Sequence, residues 1–256
     1  MSASFSRYRV VEAAHRWYTM ITHTKRGSYP NMPAGLHLRA DLLLLLGKAS
    51  NALLHFACAR GHLPAVQVLA EQYPVRVNGS CSLRGACCRS HLPIVVYLSE
   101  YCQLTLEDAR AGNNIALRHA SANGHLPMVK YLTEHYQLTR EDVRALNNST
   151  LRLACLNGHL PVMRCLTEHY GLTVEDARAV DNEALCLASA SGHLPAVRYL
   201  TEHHQLTQED ARANNNAALR WASENGHLPA VRYLTEHYGL TREDARAGGN
   251  DALCWA

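Results

Sequence analysis

Gly124-His125-Leu126-Pro127 is the phrase on which the reading of this chain turns. It recurs as Gly61-His62-Leu63-Pro64, Gly158-His159-Leu160-Pro161, Gly192-His193-Leu194-Pro195 and Gly226-His227-Leu228-Pro229. A sixth copy, Ser90-His91-Leu92-Pro93, has lost its glycine. The histidines at 91, 125, 159, 193 and 227 are 34 residues apart, and only the first step, from 62 to 91, is shorter, at 29. A fixed period of this length is the mark of stacked supersecondary units. In such a stack each unit touches only its neighbours, so the core grows along the row.

The phrase also says what each unit is. Glycine takes the left-handed conformation cheaply and ends a helix. The proline then falls in the first turn of a second helix, where its missing N–H costs nothing. Before Gly124, Leu117, Ala120 and Ser121 stand at i, i+3 and i+4, one face of a helix. After Pro127, Val129, Leu132 and His135-Tyr136 continue the second helix. Asn113-Asn114 is expected to supply a side-chain oxygen to the start of the first helix. The unit closes with Leu138-Thr139-Arg140-Glu141-Asp142-Val143-Arg144-Ala145, with close copies from Leu104, Leu172, Leu206 and Leu240. Threonine followed three residues later by Asp resembles a capping box, and acids suit a helix start, so a very short third helical turn is predicted there. The first unit carries Tyr73-Pro74-Val75-Arg76-Val77-Asn78 in its place.

These boundaries divide the array into 51–78, 79–112, 113–146, 147–180, 181–214 and 215–248, with a partial unit at 249–256. Residues 1–50 carry no repeat and read as a helical N-terminal cap, with helices at 10–18 and 34–47 around a loop at 27–33. The half-unit at 249–256 would leave an apolar face without a cap. It opens the alternative of a structural subunit of a larger or self-associating assembly, docking through that end.

Composition narrows the function. The chain has 256 residues, is 47% hydrophobic and 18% charged, and has a net charge of +3. Residues 1–50 hold seven basic side chains against two acids, which leaves about −2 for the repeats. That is too mild for a nucleic-acid partner, which calls for a basic stripe. The run Leu42–Leu46 is too short to span a bilayer, so no membrane insertion is expected. Nine cysteines without C-x-x-C or zinc-finger spacing suggest free thiols in a reducing, cytoplasmic compartment. The Arg-containing, acid-poor start keeps organellar targeting as an alternative. Cys58, Cys87 and Cys155 share one repeat position and read as semi-buried packing residues.

The pattern Asn-x-Ala-Leu-Arg-x-Ala-x-x-x-Gly-His-Leu-Pro-x-Val-x-Tyr-Leu resembles the ankyrin repeat. The family leucine falls on Leu54, Leu83, Leu117, Leu151, Leu185 and Leu219, and the first alanine on Ala57, Ala86, Ala120, Ala154, Ala188 and Ala222. The resemblance covers about residues 51–256. It implies an all-α ankyrin-like solenoid of stacked helix-turn-helix repeats. The family's Thr-Pro is replaced by pairs such as Ile115-Ala116, and its histidine by Arg84, Arg118, Arg152 and Arg220. The Leu-Thr-x-Glu-Asp-Ala-Arg segment stands where the family has a finger, so no β-hairpin is expected there.

Catalytic and metal readings find little to stand on. Stacked equivalent histidines are too far apart to share a zinc ion, whose ligands stand at about 2 Å. Five identical Glu-Asp pairs, from Glu107-Asp108 to Glu243-Asp244, read as helix-start acids rather than paired catalytic carboxylates. Cys87-Cys88 has no context for a reactive thiol, and no phosphate loop or hydrolase motif occurs. The chain is therefore expected to be no enzyme and to hold no cofactor or metal. The resemblance implies a protein–protein interaction scaffold or adaptor that binds a protein partner along the concave face. The positions it points to are Arg60, Arg84, Arg89, Arg118, His119, Asn123, Arg152, Leu156, Asn157, Arg220, Trp221, Glu224 and Asn225. The four arginines at 84, 118, 152 and 220 read either as a basic ladder for the partner or as ion pairs to repeat acids.

Overall fold

The computed structural model describes residues 50–72, 79–241 and 243–244. The expected N-terminal cap, the replacement segment at 73–78 and the half-unit at 249–256 lie outside the described residues. All regular structure among the described residues is helical. Two helices open the array, α1 (Ser50–Arg60) and α2 (Leu63–Gln72), followed by α3 (Gly79–Cys88) and α4 (Leu92–Tyr101). The middle of the stack is α5 (Leu106–Ala122), α6 (Leu126–His135), α7 (Arg140–Val143), α8 (Ala145–Leu156) and α9 (Leu160–Arg164). From α9 the backbone continues as a single π turn over Cys165–His169. The stack closes with α10 (Val174–Ala177), α11 (Ala179–Ala190), α12 (Leu194–His203), α13 (Gln208–Glu224) and α14 (Leu228–Tyr238).

Each repeated phrase is a complete C-terminal cap. Gly124 lies at φ +72°, and its N–H donates to the Ser121 carbonyl at 3.2 Å. The next N–H, of His125, reaches back to the Ala120 carbonyl at 2.9 Å. These are the two bonds of a Schellman ending. The same long bond joins His62 to Ala57, His91 to Ala86, His159 to Ala154, His193 to Ala188 and His227 to Ala222. The histidine itself serves as N-cap residue of the second helix, with the proline in its first turn.

The glycine has a second reason to be there. A Cβ at Gly158 would stand 2.5 Å from the His193 ring of the next unit, and Gly61, Gly124 and Gly192 face His91, His159 and His227 in the same way. Each imidazole thus lies on the bare backbone of the unit before it. It also reaches that unit's carbonyls: the ring Nε2 of His125 is 3.2 Å from the Cys88 oxygen, and that of His159 is 3.1 Å from the Ala122 oxygen.

First helices pack on first helices along the row: α1 on α3, α3 on α5, α5 on α8, α8 on α11 and α11 on α13. Their contacting residues are small: Ala120, Ser121, Ala154, Cys155, Ala188, Ser189 and Ala222 are buried. Cys58, Cys87 and Cys155 have no exposed surface, so the semi-buried expectation is corrected: the inter-helix gap has room for a thiol and none for water. The second helices α6, α9, α12 and α14 stand further apart, with tyrosines between them. A row that is tight on one side and spread on the other bends toward its tight side.

The short helices predicted in the Leu-Thr-x-Glu-Asp segments are present. Thr105, Thr139, Thr173 and Thr207 each close a capping box with the Asp three residues on. The expected asparagine cap of the first helix is not formed. Gly112-Asn113-Asn114, Leu146-Asn147-Asn148, Val180-Asp181-Asn182 and Asn214-Asn215-Asn216 each run through the left-handed region at φ between 51° and 62°. Three such residues in succession reverse the chain between the short helix and the first helix, so that α5 and α13 each span both and α8 and α11 each open on the reversal, at a cost of about 1–2 kcal/mol for each non-glycine. Asn114 Nδ2 donates across to the Asp142 carbonyl at 3.0 Å, while its Oδ1 is buried without a partner. The side chain that looked like a cap is a tie to the short helix that closes its own unit.

Candidate partner-binding surface

All thirteen residues picked from the sequence lie on first helices or at their C-terminal ends, hence on the tight side of the stack. Arg89, Asn123, Asn157, Glu224 and Asn225 are exposed there, while Arg60, Arg84, His119, Leu156, Arg220 and Trp221 are half-buried. Asn123, Asn157 and Asn225 each donate their amide to the carbonyl four residues earlier, at 2.8, 3.0 and 2.9 Å. The Arg60 guanidinium lies 5.2 Å from the centre of the Phe56 ring. Trp221 packs one side against the core.

Two of the four ladder arginines are already engaged. Arg118 donates Nε to the Asn113 carbonyl and Nη2 to the Gly112 carbonyl, each at 3.1 Å. Arg152 does the same to Asn147 and Leu146, at 3.0 and 3.1 Å, and its Nη1 pairs with Glu183. Their guanidinium forks hold the left-handed turns closed. The acid-pairing reading therefore describes Arg152 in part, and Arg118 bonds carbonyls instead. The fifth unit has Cys186 at this position, so its turn at Val180 lacks the clamp. His119 is held below the usual imidazole range by burial, and then by the positive charge of Arg84 and Arg118. It is a neutral group at pH 7.

The aspartates recurring along the array are spent on the stack. Arg110 meets Asp142 through Nε and Nη2, both at 2.8 Å, and Arg178 and Arg212 meet Asp210 and Asp244 in the same two-pronged way. Arg144 Nε is 2.7 Å from Asp176. One carboxylate thus caps its own short helix and binds the arginine of the unit before. Burial would raise the Asp176 carboxyl, but Arg144 and the Thr173 amide outweigh it and hold it at about 2. Arg212, with the Thr241 amide, holds Asp244 at about 2. Sequence reasoning missed this ladder. Its signal was present: an arginine stands 32 residues before each of these aspartates. The neighbouring Glu107, Glu141, Glu175, Glu209 and Glu243 are exposed. Buried Cys87 has its thiol pushed up by desolvation, away from thiolate chemistry. Among the described residues no group of three or more His, Cys, Asp or Glu is placed to hold a metal ion. No described helix is long and apolar enough to cross a membrane.

The other side of the stack carries rings. Tyr199 bonds its hydroxyl to Thr167 and stacks on His203, with centroids 4.8 Å apart. Tyr233 bonds to Thr201 at 2.7 Å and stacks on His237 at 5.0 Å. Tyr131 stacks on His135 at 4.9 Å. Between α6 and the helix that begins as α9, where this series meets Cys165, a cavity of about 410 Å³ opens to solvent. No prediction from the sequence fell on it.

Residues 151–246 match the family model for ankyrin repeats, in three copies. A search of curated proteins finds no match.

Proposed function

We propose, on the premise that the chain is an ankyrin-repeat protein, that it works as a non-enzymatic scaffold or adaptor holding a protein partner along the first-helix face. The repeats make it a protein–protein interaction module. One observation carries the finer reading. The aspartates that recur along the array are bound up in caps and ion pairs within the stack, whereas the residues just before the Gly-His pair vary, from Cys88-Arg89 through Ala122-Asn123 and Leu156-Asn157 to Glu224-Asn225. Arg89, Asn123, Asn157, Glu224 and Asn225 give that face a changing pattern of charge and hydrogen-bonding groups. Variation over a rigid, repeated frame suits recognition by shape and a few side chains. The eight described cysteines, all free thiols, support a reducing compartment such as the cytoplasm.

The test begins with crosslinked capture from the native cell and identification of the bound chain. Arg89→Glu, Asn123→Ala, Asn157→Ala and Glu224→Lys together are expected to weaken that partner's binding at least about tenfold, as several rim and core contacts are lost. The melting temperature should hold, since these side chains are exposed. Changes at the exposed Glu202, Arg232 and Glu236 on the second helices are the control. Unchanged affinity in the first set places the partner elsewhere.

A further inference from the structure

The second-helix row repeats a seat for an aromatic ring, and one seat has lost its ring. The complete seats have three fixed parts. Tyr199 has a hydroxyl partner, Thr167, 32 residues earlier, and a cation, Arg164, 35 residues earlier, whose guanidinium lies 5.6 Å from the ring centre. His203, four residues later, stacks nearly parallel, at 10°. Tyr233 repeats all three: Thr201 at 2.7 Å, Arg198 at 4.8 Å and His237 at 16°. Hydroxyl, cation and imidazole each favour a phenol ring at that place.

The same offsets counted from residue 165 give Thr133, Lys130 and His169. All three line the 410 Å³ cavity together with Cys165 itself. A short thiol side chain stands where the neighbouring units put a six-membered ring. Thr133 donates its hydroxyl to the Val129 carbonyl at 2.8 Å, and the Tyr170 hydroxyl approaches its oxygen; the equivalent Thr201 is approached by Tyr238 and still bonds Tyr233, so Thr133 has a lone pair for a second phenol O–H. The only ring contact of His169 among the described residues is edge-on to Tyr170. The charges at the rim, Lys130 and Arg164 against Glu134 and Glu168, balance, so the seat favours a neutral ring. The helix also widens into its π turn at these residues, a feature common where a helix serves a site. The volume falls in the range of small-molecule pockets, roughly 300–1,000 Å³.

We propose that the cavity at Cys165 binds a phenol ring, and that the ring it takes is a tyrosine side chain of a protein partner. The choice of ring stands on the seat; only its protein origin rests on the interaction-module reading above. The partner's ring would lie between Lys130 and His169 and donate its hydroxyl to Thr133, completing the interrupted series.

The test is a titration of the full chain with p-cresol, the tyrosine side-chain analogue, followed by amide and side-chain NMR. Saturable shifts are expected at Thr133, Cys165 and His169, with toluene binding roughly fivefold more weakly for want of one hydrogen bond. Lys130→Met should weaken p-cresol roughly threefold. Cys165→Tyr supplies the ring from within and should abolish p-cresol binding while raising Tm. Cys165→Phe is the second filling variant, should Cys165→Tyr fold poorly. Absence of saturable shifts in the wild type, or p-cresol binding retained in the filled variants, overturns the seat. Binding of p-cresol without binding of N-acetyltyrosinamide overturns the tyrosine assignment alone. Changes at Arg89 and Asn123 leave this titration untouched, so its outcome is independent of the first-helix face.

Discussion

The first-helix row and the second-helix row are built from opposite materials. The first joins by absence: Ala120, Ala154, Ala188 and Ala222 are fully buried, and Gly124, Gly158 and Gly192 leave bare backbone for an imidazole. The second joins by insertion: tyrosines reach across to Thr167 and Thr201, stacked on histidines and covered by arginines. A row packed with small groups has no slack at its buried positions. A row of large groups fails locally when one is missing, and Cys165 is such a place. The difference assigns rigidity to one side of the stack and an adjustable surface to the other.

Gly158→Val strikes the tight row hardest. The new side chain would need φ near +69° and would stand against the His193 ring. Left-handed strain and overpacking together should cost about 4 kcal/mol, read from urea unfolding. A cost below about 1 kcal/mol would show that the rows can slide apart. Ser90, the natural exception, carries no β-branch.

His204 probes the spread row. It stands where other units have Tyr136, Tyr170 and Tyr238, and burial, then His203, lowers its pKa to about 4, with Asp176 acting the other way. Its folded pKa lies below the unfolded value of about 6.5, so its contribution is complete above that pH and is lost as pH falls toward 4. The loss should reach about 3 kcal/mol at pH 4, and His204→Tyr should remove that part of the slope. His91 and His159, lowered mainly by burial, contribute in the same direction and remain in the variant. Parallel stability–pH curves for the two proteins would refute the assignment.

Asp176 tests the links between units. Asp176→Ala removes a cap and the partner of Arg144, and should cost about 2 kcal/mol at pH 7. In the wild type the same contribution is present above about pH 4, the unfolded carboxyl value, and is lost as pH falls toward 2. A double-mutant cycle with Arg144→Ala isolates the ion pair, and a coupling near zero would reduce it to a surface contact.

How much of this was legible varies by residue. The Gly-His-Leu-Pro phrase and the Thr-x-x-Asp boxes spoke plainly, because capping is local chemistry and its partners lie within four residues. Asn114 misled, since a side chain that can cap its own helix can also donate to the Asp142 carbonyl 28 residues on. Arg118 and Arg152 invited a partner and found carbonyls five and six residues back, in a left-handed turn that no residue pattern announced.

The sequence by itself determined that the molecule is a row of helix pairs, because a 34-residue period with a helix stop and a helix start in each copy admits little else. It also determined which faces are apolar. Only the tertiary structure decided which side is tight, which acids meet which arginines 32 residues away, and that one cysteine leaves a ring-shaped cavity. Those facts depend on how far apart neighbouring units stand, and that distance is set by side-chain volumes meeting across the stack.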